Sequence, residues 1–277
     1  MEKCNNFYTT VTVSDFHDTS YINDLINNNI GLELALLAHL SGNASLDLEN
    51  LKKEMADFCH FFDLFKMQRN TIRVHQPGGY MYYWSDRVKG LEALNNFFNY
   101  CCDLGFQHFI IHTPYGNSSV DENKELEEFR KKLGSLVPNS NLEVEEISTS
   151  NKDLSSKKDV RFYSVELFEE LMKGQKATML LDVYECGGVE KTVQRMKYLA
   201  SKGFKIKTIH LHKDKHKFLT SDEFEQLLKS ARCMNFVNEG FIKANSSFDE
   251  FVKTKSVDCI VSNNERMNIL KGYREKY

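Results

Sequence analysis

Short apolar runs alternate with longer amphipathic stretches along the whole chain, and this alternation limits the fold more than any other feature. The first run, 8–13, is rich in Thr and Val, as β-strands commonly are. The stretch 48–65 has apolar residues three and four positions apart, as an amphipathic helix has. A strand followed by a helix, repeated along a chain, predicts a parallel sheet. Eight such units in 277 residues fit a closed barrel better than an open sheet, so we predict an α/β fold of the (β/α)8 TIM barrel class.

The predicted elements follow one another without a linker rich in Pro, Gly or Ser, so residues 1–277 are expected to form a single domain. The predicted strands are 8–13, 31–36, 71–75, 108–112, 142–147, 177–183, 206–212 and 235–240. The predicted helices are 20–27, 48–65, 86–104, 121–136, 164–173, 189–202 and 221–233, with a helical tail from residue 248.

The net charge of −3 provides no general attraction to nucleic acid or to anionic membranes. The first residues lack the apolar core of a signal peptide, and no run approaches the roughly 18 apolar residues of a membrane span. The seven cysteines are scattered without a CxxC pair, which predicts free thiols rather than a disulfide framework or a thiolate zinc site. We therefore expect a cytoplasmic protein without a membrane or nucleic-acid partner; formation of a homo-oligomer stays open.

Two of the predicted strands end in a histidine that is followed, two residues later, by a proline. These are His75 with Pro77 and His112 with Pro114. Proline cannot donate to a strand ladder, so each strand is expected to stop there. The carboxyl ends of the strands surround the mouth of a barrel, where barrel enzymes keep their chemistry. Both histidines are therefore candidates for a metal or substrate site.

The other strands also end in side chains that bind divalent metals. Oxygen and nitrogen ligands of this type hold Zn²⁺, Mn²⁺ or Mg²⁺. The candidates beyond the two histidines are Glu145, Asp182, Glu185, His210, His212, Asp214, His216 and Glu239. Each residue alone also fits a structural or surface role, but their shared position at one end of the strands predicts a metal site.

Strand alternation orders some of these candidates. Glu145 alternates with the apolar residues of its strand and is expected to face inward. His210 and His212 are two residues apart and face the same side of their strand, so either could be the ligand. Glu239 lies two residues after Val237 and therefore on the same face of the strand, which is expected to be the outward face. Glu239 can reach inward only if the strand ends or bulges there.

Several short motifs, in this order, resemble the xylose isomerase-like TIM barrel superfamily, which includes sugar (phosphate) isomerases and epimerases and the endonuclease IV-type enzymes. The resemblance covers nearly the whole chain, from the second strand to the last. The motifs are Gly31-Leu32-Glu33-Leu34, Val74-His75-Gln76-Pro77, Ile111-His112-Thr113-Pro114, Leu180-Leu181-Asp182, His210-Leu211-His212-Lys213-Asp214 and Asn238-Glu239.

The resemblance implies one central divalent metal, held by Glu145, Asp182, His210 and Glu239. The metal could be Mn, Zn, Mg or Co. In the isomerase and epimerase branch such a metal grips two neighbouring oxygens of a keto sugar. Glu145 and Glu239 would then be the catalytic base and acid, moving a proton through an enediolate. The expected partner is a small carbohydrate.

The endonuclease IV branch is the alternative, a zinc phosphodiesterase acting on abasic DNA with three metals. Its further ligands would be His75, His112, Glu185, Asp214 and His216. The sequence departs from that branch at Glu185, where the branch has a histidine, and in the spacing of residues 210–216. A DNA enzyme also needs basic side chains for phosphates, which the net charge does not favour. A third alternative is a barrel that has lost its metal and its activity.

Overall fold

The structure is a computed structural model. It describes residues 7–36, 48–77, 87–113, 116–117, 127, 130–137, 141–146, 160–161, 165–231, 234–246, 248–254 and 256–277.

Eight parallel strands form a closed barrel, which confirms the predicted fold class. The strands are β1 (Phe7–Val11), β2 (Gly31–Leu34), β3 (Arg73–His75), β4 (His108–His112), β5 (Asn141–Glu146), β6 (Thr178–Asp182), β7 (Ile206–Leu211) and β8 (Asn235–Asn238). Around the barrel the strands follow their order along the chain, so that each neighbours the next. A two-stranded antiparallel ribbon, which the sequence pattern did not predict, pairs Gly116–Asn117 with Val160–Arg161.

The helices lie between the strands, as the alternation predicts. They are α1 (Thr19–Asn27), α2 (Leu48–Leu64), α3 (Arg87–Asp103), α4 (Val165–Met172), α5 (Val189–Ser201), α6 (Ser221–Ser230), α7 (Phe248–Thr254) and α8 (Asn263–Lys276). Half of the predicted helix 121–136 lies outside the described residues, and residues 130–133 of the described half are helical. No helix within the described ranges has both the length and the apolar content needed to cross a membrane.

By its contacts the chain divides into two compact units, which are described separately below. The terminal unit consists of Met1–Leu32 and Leu180–Tyr277, and the central unit consists of Glu33–Met179.

Strand β4 shows why the central unit has a well-packed core. Phe109, Ile110 and Ile111 are consecutive, and all three are fully buried. A strand that is apolar on both of its faces is typical of a parallel sheet covered by helices. The helices supply the other side of this core, because Phe97 and Phe98 of α3 are also fully buried.

Packing of the terminal unit depends on aromatic residues from the strands and the last helices. The ring of Tyr273 in α8 lies 4.5 Å from that of Phe224 in α6. Phe7 of β1 meets both rings edge to face, at 6.0 and 6.2 Å. Helix α6 begins with a capping box, in which the Thr220 side chain and the Glu223 carboxylate each accept a backbone N–H.

Candidate metal centre

In the central unit, the ends of three neighbouring strands bring two histidines and a glutamate together. We call His75, His112 and Glu145 the central cluster. The Nε2 atoms of His75 and His112 lie 3.3 and 3.2 Å from Oε2 of Glu145. The two Nε2 atoms are 3.1 Å apart. Three ligand atoms thus converge on one point, and such a grouping could hold a metal ion.

Strand register explains this convergence. Residue His112 is directly opposite Glu145 in the β4–β5 ladder, and His75 is opposite Ile110 in the β3–β4 ladder. The side chains of residues on adjacent parallel strands with matching parity point to the same face. Since β3 and β4 each end at their histidine, both imidazoles lie at the carboxyl ends of the strands.

The central unit also contains a buried ion triad of Arg73, Glu143 and Glu33. Arg73 and Glu143 lie two residues before His75 and Glu145 on the same strands, and Glu33 lies on the neighbouring strand β2. The Arg73 guanidinium bonds to Glu33 at 2.9 Å and to Glu143 at 2.8 Å. The side chains retain at most 2% of their exposure. Burial lowers the pKa of Arg73, but the two carboxylates more than offset this and raise it above its ordinary value. The guanidinium is therefore charged.

Acidic side chains outnumber basic ones among the buried residues that the structure describes in the central unit. Glu33, Glu143, Glu145 and Glu146 are buried, whereas Arg73 is the one buried Lys or Arg. Surroundings lined by carboxylates attract cations, so this composition favours cation binding at the central cluster.

In the terminal unit, five ligand-type side chains form a second group. We call Asp182, His210, His212, His216 and Glu239 the terminal cluster. Nε2 of His212 lies 2.9 Å from Oδ2 of Asp182 and 3.6 Å from Oε2 of Glu239. Nδ1 of His210 lies 3.2 Å from the same Glu239 oxygen. The His212, His216 and Glu239 ligand atoms all fall within 4.8 Å of one another.

His212 carries the clearest electrostatic signature in this cluster. Burial lowers its pKa, but the carboxylates of Asp182 and Glu239 raise it, and the result is about 9. Nε2 of His212 forms an ion pair with Oδ2 of Asp182, and Nδ1 lies 3.0 Å from the Lys213 carbonyl oxygen. The two carboxylates thus favour a positive charge at His212, which a proton or a metal ion can supply.

A short strained turn presents His216 to the cluster. Its φ of 65° lies in the left-handed region, which residues other than Gly seldom adopt. Its carbonyl accepts the N–H groups of Phe241 and Ile242 at 2.8 and 3.0 Å, and these bonds hold the turn. The His216 ring stacks on that of His212, with centroids 4.5 Å apart. Strain of this kind is concentrated at functional sites.

Two positions that strand alternation left open can be described from the structure. His210 and His212 both approach Glu239, as their shared parity allows. Strand β8 ends at Asn238, so Glu239 lies just beyond the ladder and can turn toward these histidines.

The other sequence-predicted candidates lie at the margin of the terminal cluster. Glu185 donates its backbone N–H to Oδ1 of Asp182 at 2.8 Å and thereby helps to orient that carboxylate. Asp214 is exposed and begins the short 3₁₀ turn that ends at His216. Of the four-residue metal set, Asp182, His210 and Glu239 belong to the terminal cluster, and Glu145 belongs to the central one.

The donor atoms suit a divalent metal. Imidazole nitrogen with carboxylate oxygen is the mixture that binds Zn²⁺, Mn²⁺ or Co²⁺, whereas Mg²⁺ prefers an all-oxygen shell. Each unit contains a group of this composition, so the fit to a metal rests on the donor atoms of both.

Sequence reasoning missed the ion triad and Gln76. Arg73 and Glu143 face the same side of their strands as His75 and Glu145, which follow two residues later. The sequence signal for the triad was therefore a charged residue at an inward position of an apolar strand. Gln76 could not be recognised from the sequence, because its buried side chain accepts the N–H of His112, a residue distant in sequence.

No protein-family model and no curated protein sequence matches the chain. Solved structures do resemble it. One is a xylose isomerase domain protein from Alicyclobacillus acidocaldarius, with a TM-score of 0.52 and 11% identity over 98% of this chain and 99% of that one. Another is a psychrophilic glycoside hydrolase family 10 endo-beta-1,4-xylanase, with a TM-score of 0.54 and 12% identity over 88% and 89%. At such low identities these likenesses show the fold alone, a TIM barrel.

Proposed function

We propose that the protein is a divalent-metal-dependent isomerase or epimerase that moves a proton between neighbouring carbons of a sugar or sugar phosphate. The observation that carries the proposal is the terminal cluster, in which Nε2 of His212 lies 2.9 Å from Asp182 and 3.6 Å from Glu239. A divalent cation bound at this point would take the place of a proton on His212 and would be attracted by both carboxylates. A metal bound there would polarise a sugar carbonyl and acidify the adjacent C–H.

The two carboxylates of the terminal cluster differ in solvent exposure, and this difference suggests different roles. Asp182 is fully buried, whereas the Glu239 side chain retains 12% exposure. We therefore assign Asp182 to holding the metal and Glu239 to holding it and moving a proton at the substrate carbon. In the central cluster, His75 and His112 retain 15% and 18% exposure, so they can contact a sugar hydroxyl.

Glu145, with 6% exposure in the central cluster, is the second proton-transferring carboxylate in this proposal. The metal set predicted from the sequence, Glu145 with Asp182, His210 and Glu239, stays part of it. A neutral sugar suits this surplus of buried carboxylates better than a phosphodiester anion does. Lys213, a basic residue close to His212, is already paired with Glu223 at 3.1 Å.

One observation favours a second candidate, a zinc phosphodiesterase of the endonuclease IV type. The central cluster is itself a group of two histidines and one carboxylate, in addition to the terminal cluster. If both clusters bind metal, several ions would be available to neutralise a phosphate. The number of bound metals therefore distinguishes the candidates.

The test uses purified full-length protein, stripped with EDTA and reloaded in turn with Zn²⁺, Mn²⁺, Co²⁺ and Mg²⁺. Metal content is counted, and ketoses and their phosphates are incubated in D2O while NMR follows deuterium incorporation at carbon. We expect metal-dependent incorporation, which Glu239→Gln reduces by roughly 10²–10⁴-fold. The exposed residue Glu225 supplies the control variant, Glu225→Gln, which should retain activity.

Three results would contradict the proposal. The first is a protein that binds no divalent metal, which indicates a barrel without this chemistry. The second is cleavage of abasic DNA or of a simple phosphodiester by protein that binds two or three metals. The third is deuterium incorporation that Glu239→Gln leaves unchanged.

A further inference from the structure

Gln76 follows directly after β3 and lies between the two histidines of the central cluster. Its own N–H donates to the carbonyl of Ile110 at 2.8 Å, as the β3–β4 ladder requires. In a continuing parallel ladder, the Gln76 carbonyl would then accept the N–H of His112. The structure departs from that pattern at this point.

The two acceptors of Gln76 have exchanged roles. Its main-chain carbonyl accepts a hydrogen bond from Nδ1 of His75 at 2.8 Å. The side-chain Oε1 accepts the His112 N–H at 2.9 Å, in place of that carbonyl. Gln76 is only 1% exposed, so water cannot readily substitute for either bond.

Each bond has a consequence for the cluster. A proton on Nδ1 of His75 leaves Nε2 with its lone pair, and Nε2 is the atom that faces Glu145. The bond to His112 fixes the end of β4, and therefore the place from which the second imidazole reaches Nε2 of His75. Because the side chain satisfies the His112 N–H, the Gln76 carbonyl is directed to His75 alone.

We propose that Gln76 is a positioning residue that sets the tautomer of His75 and the location of His112, so that the two Nε2 atoms and Glu145 are arranged in advance for a divalent cation. The role in metal binding rests on the part of the proposed function in which the central cluster also binds a metal, whereas the arrangement of the two histidines does not. Removing a partner of this kind typically weakens metal affinity by about 10–100-fold.

The variants separate the hydrogen bond from the volume of the side chain. Gln76→Met keeps a similar size and loses the acceptor, so the Gln76 carbonyl should return to His112 and release His75. Gln76→Glu keeps an oxygen acceptor at the same position. Asn235→Leu is the control for a lost buried amide, because Asn235 donates to Thr208 at the start of β8, in the terminal unit.

The first measurement uses metal-free, full-length protein labelled with ¹⁵N-histidine. In the wild type we expect His75 to be protonated at Nδ1 and the His112 amide proton to be shifted downfield by its hydrogen bond. Gln76→Met should lose both signatures and Gln76→Glu should keep them. Asn235→Leu should lower stability without moving either signal.

The second measurement titrates Zn²⁺ into the same samples and follows the imidazole signals of His75 and His112, which report this cluster specifically. We expect Gln76→Met to weaken binding by about 10–100-fold, and Gln76→Glu to restore most of it. If Gln76→Met leaves the two metal-free signatures and the zinc affinity unchanged, the positioning role is wrong. If the His75 and His112 signals of the wild type do not respond to zinc, the central cluster binds no metal, and the metal-free signatures alone decide the role of Gln76.

Discussion

Nε of Arg73 lies 2.9 Å from Oε2 of Glu33, and both side chains are almost completely withdrawn from solvent. The same guanidinium bonds to Glu143, so one positive charge is shared by two carboxylates. A buried arrangement of this kind costs much free energy in desolvation and is stable only while every partner is present. Arg73 and Glu143 lie two residues before His75 and Glu145, so the same ionic groups affect both the stability of the barrel and the charge near the candidate site.

The first prediction concerns this triad. Arg73→Met should lower the free energy of unfolding by about 3–5 kcal/mol, because it leaves two buried carboxylates without their cation. Urea unfolding of the metal-free protein measures the loss. Arg130→Met is the matched control, since Arg130 pairs with Glu170 on the surface, at 3.1 Å, and such pairs contribute about 0–1 kcal/mol.

Replacing all three members of the triad with Met tests the cause. If uncompensated charge is responsible, the triple variant should be more stable than Arg73→Met alone. A triple variant that is less stable would indicate that shape, rather than charge, makes the triad necessary.

The strands of the barrel could be predicted because a strand buried on both faces needs a continuous apolar run, which residues 109–111 provide. Predicted strand ends were one to two residues too long in several places. The run 31–36, for example, remains apolar after the ladder ends at Leu34. Side-chain character identifies a buried segment, whereas the end of a strand depends on where the partner's backbone departs.

The candidate site was predictable only in part, and for a similar reason. Strand-end position identified His75, His112, Asp182, His212 and Glu239 as candidates, because the carboxyl ends of parallel strands all lie at one end of a barrel. Which atoms meet depends on contacts distant in sequence. The pairing of His212 with Asp182, at 2.9 Å, follows from the packing of one strand end against another, and the sequence contains no local signal for it.

A second prediction concerns pH. In the metal-free protein the pKa of His212 is raised to about 9, and an unfolded histidine titrates near 6.5. A raised folded-state pKa contributes stability that is fully present below about pH 6.5 and is lost as the pH rises through about 9. The stability difference between the wild type and His212→Gln should therefore be largest near pH 6 and disappear above pH 9.

Urea unfolding in EDTA at several pH values measures this difference. The EDTA is essential because a bound metal would displace the proton and reverse the trend, since metal affinity rises as His212 deprotonates. A difference between the two proteins that stays constant from pH 6 to pH 9.5 would show that Asp182 and Glu239 do not hold a proton on His212.

The third prediction tests the start of α6. Thr220 accepts the Glu223 N–H, and the Glu223 carboxylate accepts the Thr220 N–H at 2.7 Å. Thr220→Ala should cost about 1 kcal/mol of stability. Ser230→Ala, at the exposed far end of the same helix, should change stability by less than about 0.5 kcal/mol. Equal effects of the two variants would show that the capping box does not stabilise the helix.

The last prediction tests the central cluster through its effect on folding. A ligand present at 100 times its Kd stabilises the folded state by about 2.7 kcal/mol. His112→Ala removes one of three ligands, and an affinity about 100-fold weaker would reduce that gain by about 2 kcal/mol. His60→Ala is the control, because His60 is exposed on α2 and contributes nothing to the cluster.

Thermal and urea unfolding with and without Zn²⁺ measure the gain for each protein. We expect zinc to stabilise the wild type and His60→Ala equally and His112→Ala less. The part that remains in His112→Ala should disappear when His212→Ala is added, because that change removes a ligand from the terminal cluster. If His112→Ala retains the full zinc-induced stabilisation, the central cluster does not bind the metal, and His75 and His112 are then confined to contacts with the substrate.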